Sequence, residues 1–537
     1  MSSETKFPTF DSLLHELGDF GPYQRKTILL LCIPAAFLNA WTFYDLVFML
    51  YGPDKTCQEW NGNVSQPLIQ ATIGNVSDEC EYEGQKIHST LDEVILHCQN
   101  WTFDHRYFDN TLKTQWGLCQ HQALLTNVMA IFTIFGVIGL GIMSMIQDMI
   151  GRKMTFFITL TLTLIGCGFS LMAPSIVVWT AIRCVQATQS MITYSLPFIW
   201  VQEYVGPHKR SLVSLIITLI FSAATVSLGL VSWACNTWKQ LGLATTLPFI
   251  LLYLYYFLVD ESPRWLLSVG RVEEATRIIE KIAIFNEKES NMDKIRKEIE
   301  LIVKNSLGEE TRTETTSGFQ PLELFRFPNL RLKVILLTII WIANSLLYNS
   351  MAFNAPNLSN MYVAYIAQAA VEAPACIVFF AFSNRVGRIP PMALSMLCSA
   401  LFCFLCLPAY IQEWNEWFVV IFSAVAKFGI CVSYTSLYQS AGELYPTSLR
   451  ATGLGVNNIL GILVVGIMPY VLGASSTAKW VPMLILGIVT TIGAFCCFFL
   501  AEPLNQTMPL TAVEAEKVSK AGPAQIRTHF LNLTKCF

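Results

Sequence analysis

Two oppositely charged residues stand inside apolar runs that are long enough to cross a membrane. Glu372 lies within AYIAQAAVEAPACIVFFAF, residues 364–382, and Lys427 lies within a second run, residues 416–440. A charged side chain at the centre of a spanning helix costs about 2.5–3.5 kcal/mol on insertion scales. The two groups can bind a small organic ion inside a helical bundle, or they can form a structural ion pair that never touches a substrate. The sequence leaves both interpretations open.

Aromatic side chains add a second kind of chemistry. Tyr194 and Phe198 are four residues apart in an apolar run, so they share one face of a helix. An organic cation is stabilised by about 0.5–2 kcal/mol over a desolvated ring face. Packing alone is the alternative interpretation of such a pair.

The elements that position these residues are apolar runs near the length of a membrane span. The chain has 537 residues, of which 53% are hydrophobic and 14% charged, with a mean hydropathy of +0.48. A soluble protein carries about 25% charged residues. Each run can cross about 30 Å of hydrocarbon as a helix. We therefore expect an all-α polytopic membrane protein with about twelve transmembrane helices, at 27–50, 122–146, 154–173, 176–201, 211–234, 242–259, 333–350, 358–382, 390–410, 416–440, 451–473 and 480–500.

Basic residues predict the orientation of these spans. They recur in alternate connecting segments, which predicts that both termini are cytoplasmic. The formal net charge of −3 gives no indication of a nucleic-acid partner. Residues 1–26 lack the apolar core of a signal peptide, so we expect no cleavage there.

The segment 51–121 is predicted to lie outside. It carries three glycosylation sequons, at Asn63, Asn75 and Asn100. It also carries an even number of cysteines, Cys57, Cys80, Cys98 and Cys119. In an oxidising compartment these predict two disulfides, and three connectivities are possible.

A second polar segment, 260–332, divides the spans into two groups of six. Isoleucines recur in it at helical spacing, which predicts amphipathic helices. The expected organisation is a cytoplasmic segment 1–26, a six-helix half 27–259, a cytoplasmic helical domain 260–332, a second six-helix half 333–500 and a cytoplasmic tail 501–537.

One short motif occurs after the second span and again after the eighth. The first copy runs Asp148-Met-Ile-Gly151-Arg152-Lys153, and the second runs Asn384-Arg385-Val-Gly387-Arg388. In each copy the glycine permits a tight turn, and the basic residues can meet acidic partners. Such a latch could hold two halves in one state and break in another. Positive-inside topology alone is the simpler interpretation of either copy by itself.

These features together resemble the organic cation, organic anion and carnitine transporter family of the major facilitator superfamily. The specific carriers are Glu261-Ser-Pro-Arg264-Trp-Leu-Leu after the sixth span, Gly442-Glu443-Leu-Tyr-Pro-Thr after the tenth, and the long external segment. FDSLLHELGDFGPYQR at the amino terminus and Arg183-Cys-Val-Gln in the fourth span also fit, and Arg450 follows the tenth-span motif. The resemblance implies a gating role for these charged residues. Ser144 and Asn384 depart from the family pattern, and the external cysteines are fewer than in many members.

The resemblance also implies a substrate site. Val371-Glu372-Ala-Pro374 and Ala426-Lys427-Phe-Gly429 are similar to family motifs, and Tyr194 and Phe198 fall where its cation transporters carry cleft aromatics. Asn344 and Tyr348 lie in a stretch similar to the family's seventh helix. Cation transporters of the family have aspartate where this chain has Ile462, and anion and carnitine transporters have arginine. Asn457 and Asn458 lie about one turn away and offer neutral hydrogen bonds, so a zwitterion, a weakly charged amine or a neutral solute fits this pattern.

We therefore expect a multi-pass plasma-membrane transporter of small organic ions, chiefly cations or zwitterions, which works by alternating access. Its expected partners are that substrate and membrane lipid, with Na⁺ or H⁺ coupling and exchange left open. The sequence has no P-loop, HExxH or GxSxG motif and no metal-ligand cluster among its seven histidines, so neither an enzyme nor a cofactor is expected. The alternatives are an organic anion transporter and a non-transporting receptor or adaptor on a transporter scaffold.

Overall fold

A computed structural model describes residues 10–53, 55–61, 85–88, 93–103, 106–118, 122–206, 209–288, 292, 294–301, 324–355, 360–446, 449–476, 478–503 and 516. The predicted sites Asn63, Asn75, Cys80 and Cys119 lie outside these residues.

Twelve helical segments cross the described bundle. In the amino-terminal half they are α1 (Pro22–Met49), α2 (Gln122–Ile150), α3 (Arg152–Ser170), α4 (Ile176–Gln202), α5 (Arg210–Trp233) and α6 (Trp238–Thr246, continued by the 3-10 helix Leu247–Phe257). In the carboxyl-terminal half they are α7 (Pro328–Asn354), α8 (Met361–Ala370 and Glu372–Val386), α9 (Ile389–Ile411), α10 (Glu416–Leu444), α11 (Arg450–Val465 and Met468–Gly473) and α12 (Val481–Cys497). Ten helices among the described residues are long and apolar enough to span a membrane. The protein is a multi-pass membrane protein, and the predicted helical fold class is confirmed.

Local sequence signals set several helix starts. Pro22 and Pro328 begin α1 and α7, where the missing N–H of proline has no consequence. The side chain of Asn360 accepts hydrogen bonds from the backbone N–H groups of Tyr362 and Val363 at the start of α8, each at 3.2 Å. These caps satisfy backbone donors that no helical carbonyl can reach.

Packing divides the bundle into two halves. Within the first, α1 packs against α4, α5 and α6, and α4 also packs against α2 and α3. Within the second, α7 packs against α10, α11 and α12, and α9 packs against α10 and α12. The halves meet where α5 contacts α8 and where α2 contacts α11. The two contacts are equivalent, because α11 is the sixth helix after α5 and α8 is the sixth helix after α2.

The two ends of the bundle carry different structures. One end, here called the loop face, carries the described residues between 51 and 118, which include the strands β1 (Lys55–Asn61), β2 (Gln85–His88) and β3 (Glu93–Phe103). β3 lies between the other two and pairs antiparallel with both. Cys57 lies on β1, and Cys98 and Asn100 lie on β3, so the small sheet is an addition to the predicted helical fold.

The opposite end, here called the helical-domain face, carries the helices Pro263–Ser268 and Val272–Phe285. Ile279 and Ile282 of the second helix are fully buried, as their spacing predicts. The amino-terminal helix Phe10–Leu17 packs into the same apolar cluster. Asn286 holds the end of this helix in place. Its side-chain N–H donates to the Leu17 carbonyl, and its side-chain oxygen accepts from the backbone N–H of Tyr23.

Candidate functional site

A break in α8 positions the intramembrane carboxylate. The helix stops at Ala370 and resumes at Glu372. Pro374 lies four residues after Ala370, so it offers no N–H to the Ala370 carbonyl, and its ring crowds that carbonyl. The same happens in α11, where the helix stops at Val465 and resumes one residue before Pro469. At this break the Glu372 side chain points toward a polar cluster at the centre of the bundle.

Glu372 pairs with the one other charged residue predicted for this region, Lys427. The Lys427 Nζ lies 3.1 Å from Glu372 Oε1, and their side chains are 1% and 7% exposed. Tyr348 contacts both residues. Its hydroxyl donates to Glu372 Oε1 at 2.9 Å, its backbone carbonyl accepts from Lys427 Nζ at 3.0 Å, and its ring centroid lies 3.1 Å from that nitrogen. The structure thus brings together three of the predicted substrate-site residues.

A row of aromatic rings continues from this cluster. Tyr348 stacks on Tyr434 with centroids 5.7 Å apart, and Tyr434 meets Tyr438 edge-on at 5.3 Å. Trp341 contacts Tyr438 at 4.6 Å. Tyr438 lies six residues before the end of α10 and is 45% exposed, so this end of the row is accessible. Tyr434 and Tyr438, which lie seven and eleven residues after Lys427 on the same helix, were not predicted from the sequence.

The amino-terminal half contributes the predicted aromatic pair. Tyr194 and Phe198 stack with centroids 6.5 Å apart, and both are half-buried. Phe221 of α5 meets Tyr194 edge-on at 5.1 Å. On the same helix, the Ser222 hydroxyl donates to the Ala369 carbonyl at 2.9 Å, next to the break in α8. The pair therefore lies near the interface that leads to Glu372.

The predicted neutral residues have different environments. Asn344 is fully buried, donates to the Ile340 carbonyl, and has no partner for its Oδ1 among the described residues. Asn457 is also fully buried, between Thr338 and Tyr445. Asn458 is half-buried and accepts from the Tyr438 hydroxyl at 3.4 Å, so it is the asparagine that joins the aromatic row. Ile462 is 8% exposed.

At the loop face, ring contacts and a hydrogen bond join the two halves. Phe48 of α1 packs on Tyr362 and Tyr365 of α8, with centroids 6.0 and 4.9 Å apart. The Tyr470 hydroxyl of α11 donates to Asn127 of α2 at 2.7 Å. These contacts close the bundle at the loop face, above the Glu372 cluster.

A second buried ion pair holds α1 against α4. Arg183 Nη2 lies 2.8 Å from Asp45 Oδ2, and the two side chains are 0% and 1% exposed. Arg183 also contacts the Thr42 carbonyl and the sulfur of Met49. The predicted gating residue Arg183 therefore lies in the interior of the amino-terminal half, away from the motif at the helical-domain face. Asp45 was not predicted from the sequence, although it is another carboxylate in an apolar run.

The first copy of the repeated motif forms a compact charge cluster at the helical-domain face. Gly151 adopts φ +97°, a conformation that favours glycine, and makes the turn between α2 and α3. Arg152 then pairs with Asp148 at 3.1 Å and with Glu203 at 3.0 Å. Glu261 accepts from the backbone N–H groups of Arg152 and Lys153 at 3.0 Å each, so it caps the start of α3.

Burial raises the pKa of Glu261 above its ordinary value. The hydrogen bonds from Ser262, Lys153 and Arg152 and the charge of Arg152 act in the opposite direction. Burial is the larger effect, because it removes water from the charged carboxylate.

The second copy repeats this arrangement. Gly387 adopts φ +106°, and Arg388 pairs with Glu443 at 3.3 Å. Glu502 accepts from the backbone N–H groups of Arg388 and Ile389 at 2.8 and 2.9 Å, as Glu261 does in the first half. Glu502 was not predicted from the sequence. The signal was the glutamate followed closely by proline after both the sixth and the twelfth span.

The remaining predicted gating residues lie around these clusters. Lys153 lies over the Tyr256 ring at 4.4 Å, and Arg264 contacts Asp11 of the amino-terminal helix at 3.6 Å. Arg450 is half-buried at the start of α11. The backbone of Arg385 lies in α8, and its side chain is outside the described set.

Comparisons with known proteins all find membrane transporters. Residues 77–513 match the family described as "Sugar (and other) transporter". The chain is 30% identical to organic cation transporter 1 of Caenorhabditis elegans, over 97% of this chain and 90% of that protein. It is 26% identical to the β-alanine transporter of Drosophila melanogaster, over 95% and 89% of the two chains. The inward-open xylose transporter XylE from E. coli has the same fold, with a TM-score of 0.64 at 14% identity, over 91% of this chain and 100% of that one.

Proposed function

The chain belongs to the sugar (and other) transporter family and, within the major facilitator superfamily, to its organic cation, organic anion and carnitine transporter group, and on this premise we propose that it carries small amine-bearing organic ions across the plasma membrane. Members of this family are membrane transporters rather than enzymes. The relatives named for organic cations and for β-alanine have a positively charged group in common in their substrates, which in β-alanine is an ammonium group. The proposed substrates are therefore organic cations or zwitterions.

One observation carries this proposal. Glu372 and Lys427 meet beside Tyr348 in the centre of the bundle, at the start of an aromatic row that ends at the half-exposed Tyr438. A carboxylate beside several ring faces is the chemistry that recognises an ammonium group. Helix breaks at the membrane midplane are typical of substrate sites in secondary transporters. Tyr194, Phe198 and Asn458 complete the proposed site.

The proposed mechanism is alternating access. The distribution of basic residues supports an extracellular loop face and cytoplasmic termini. The contacts between the halves at the loop face would then separate the site from the extracellular side. In the opposite state the contacts of Phe48 with Tyr362 and Tyr365 would open, and the clusters around Arg152 and Arg388 would approach each other.

The driving force follows from the charge that moves. A monovalent cation that enters down the membrane potential gains about 2.3 kcal/mol per 100 mV. Facilitated diffusion of a cation is therefore the simplest form of the proposal. Exchange, or coupling to Na⁺ or H⁺, would add a second gradient.

Uptake in voltage-clamped oocytes that express the chain tests the proposal. The panel consists of labelled tetraethylammonium, β-alanine and p-aminohippurate, a cation, a zwitterion and an anion. We expect saturable uptake of at least one of the first two compounds and none of the anion. Glu372→Gln removes the carboxylate that binds ammonium, and it should reduce this uptake at least about tenfold, since a hydrogen bond to a charged group contributes about 1.5–3 kcal/mol.

Glu416→Gln is the matched control. It makes the same chemical change at the exposed start of α10 and should leave uptake unchanged. Surface biotinylation measures whether both variants reach the membrane in equal amounts. Normal uptake in Glu372→Gln would contradict the proposed site. Uptake of the anion alone would favour the organic anion alternative, and no uptake of any compound would favour the receptor alternative.

A further inference from the structure

The buried charges of the spanning helices cancel. Away from the helical-domain face, the buried charged side chains in the described part of these helices are Asp45, Arg183, Glu372 and Lys427. Each carboxylate is paired with one of the basic groups, at 2.8 and 3.1 Å. The transmembrane interior is therefore neutral when no substrate is bound. A monovalent cation would add an unbalanced charge to this interior, whereas a zwitterion would not.

The geometry of the central pair makes the same distinction. Glu372 Oε1 already accepts from both Lys427 Nζ and the Tyr348 hydroxyl. An ammonium ligand that displaces Lys427 leaves it with the Tyr348 carbonyl and ring as its other observed contacts. Removing one partner of a buried ion pair is strongly unfavourable, because the other charge stays desolvated and unpaired. A ligand that also brings a carboxylate gives Lys427 a new partner.

Building on the proposed function, we propose that the Glu372–Lys427 pair is a charge-matched receptor for a small zwitterion, which opens the pair on binding. The substrate ammonium binds to Glu372 and the ring faces of Tyr348 and Tyr434, and the substrate carboxylate binds to Lys427. Ile462 fits this assignment, because it places no third charge on the nearby helix α11. Such a site binds both charged ends of the ligand. When the ligand leaves, Glu372 and Lys427 pair again and neutralise each other.

This assignment has a consequence for transport. A zwitterion carries no net charge, so its uniport moves no charge across the membrane and its uptake does not depend on voltage. A cation carried by the same site would produce a current. The two substrate classes are therefore separated by an electrical measurement as well as by affinity.

The test compares two ligands that differ in one group. β-Alanine and β-alaninamide have the same ammonium group and nearly the same size, but the amide has no carboxylate and carries a net charge of +1. In oocytes expressing the wild-type chain, we expect saturable β-alanine uptake that is equal at −20 and −100 mV and has no associated current. β-Alaninamide should inhibit this uptake at least about tenfold more weakly than unlabelled β-alanine.

The outcomes separate this inference from the proposed function. Transport of β-alaninamide and tetraethylammonium with a current, and none of β-alanine, overturns the zwitterion assignment and leaves a cation transporter. Uptake of neither class overturns both. Equal inhibition by β-alanine and its amide also overturns the assignment, because it shows that the ligand carboxylate has no partner.

A variant then assigns the carboxylate partner. Lys427→Met frees Glu372, so we expect the preference for β-alanine over β-alaninamide to fall at least about tenfold, with Lys288→Met on the exposed helical-domain surface as the matched control. Because the single change leaves a buried carboxylate unpaired, the double variant Glu372→Gln with Lys427→Met is measured beside it. The double variant has no buried charge at this site and should reach the surface without binding either ligand. An unchanged preference in Lys427→Met overturns the role of Lys427.

Discussion

Removing one partner of the buried ion pair between Asp45 and Arg183 should destabilise the protein far more than removing one partner of a surface pair. The perturbation is Asp45→Asn, which leaves Arg183 charged and buried between α1 and α4. At the observed separation of 2.8 Å, the Coulomb attraction of two unit charges is about 6 kcal/mol with an effective dielectric constant of about 20. Desolvation of the two ions offsets part of this attraction, and loss of one partner of a buried pair costs about 3–5 kcal/mol.

The observed contacts place Asp45→Asn within this range. The other contacts of Arg183 include the Thr42 carbonyl at 3.4 Å, the sulfur atoms of Cys167 and Met49 at 3.2 and 3.3 Å, and the Trp179 ring at 5.5 Å. Sulfur is a weak acceptor, so these contacts cannot replace a carboxylate. We therefore expect Asp45→Asn to reduce the free energy of unfolding by about 3–5 kcal/mol.

Unfolding by sodium dodecyl sulfate in mixed micelles, followed by circular dichroism, measures this change. A double-mutant cycle consists of Asp45→Leu, Arg183→Met and the double variant Asp45→Leu with Arg183→Met, and Asp45→Asn is measured beside it. The double variant removes both buried charges, so it should unfold at nearly the wild-type denaturant fraction or above it. The matched control is the cycle for Arg271 and Glu274, which are 50% and 49% exposed and should couple by no more than about 1 kcal/mol. A loss below about 1 kcal/mol in Asp45→Asn, or additive single effects in the cycle, would refute the reasoning.

Three further predictions concern the helical-domain face. Gly151→Ala should lower the thermal unfolding midpoint, because φ there is +97° and a Cβ would collide with the side chains of Glu261 and Trp265; Gly141→Ala, where a Cβ meets nothing within 4 Å, is the control and should not lower it. Because burial raises the pKa of Glu261, the folded state binds a proton more readily than the unfolded state, so stability should fall as pH rises from about 4.3 to the raised pKa. Across this pH window, the decrease in the free energy of unfolding with rising pH should be smaller in Glu261→Gln than in the wild type. An equal pH dependence in the two proteins would contradict the assignment. Glu516→Ala should lower the free energy of unfolding by about 0.5–2 kcal/mol, because the Glu516 carboxylate accepts from the backbone N–H groups of Asn329 and Leu330 at the start of α7. Unfolding in the same micelles measures this change. A change of less than about 0.3 kcal/mol would exclude the capping role.

Much of the architecture was predictable because a lipid bilayer imposes strong local rules. A run of about twenty apolar residues has few alternatives to a spanning helix, since every backbone polar group must find its partner within the helix. The positions of α1 to α12 follow from those runs, with ends that differ by a few residues. The breaks in α8 and α11 follow from Pro374 and Pro469, because each proline acts on its own helix within one turn. Glu372 and Lys427 were recognisable because charge is costly in such runs.

The partners of these residues were only partly predictable. Sequence spacing placed Glu372 and Lys427 at similar depth, and the packing of α8 against α10 brought them to 3.1 Å. Sequence spacing gave no indication that Asp45 is the partner of Arg183, which is 138 residues away. Glu516 lay in a polar stretch, where a carboxylate has no evident cost, so nothing local marked it as a helix cap. Glu502 had a signal only through its similarity to Glu261, since each is followed closely by proline after the last span of its half. Such contacts depend on how each helix is rotated and which helix it packs against.

The sequence by itself therefore determined the helices, their two groups of six, the repeated turn motif and the residues whose charge needs a partner. Only the tertiary structure decided which charges pair, which aromatic rings form a row beside Glu372, and which residues join the two halves. The physical reason is the range of the interactions. Hydrophobic length and proline act within a few residues of one chain segment, whereas an ion pair or a ring contact forms between segments that only packing brings together.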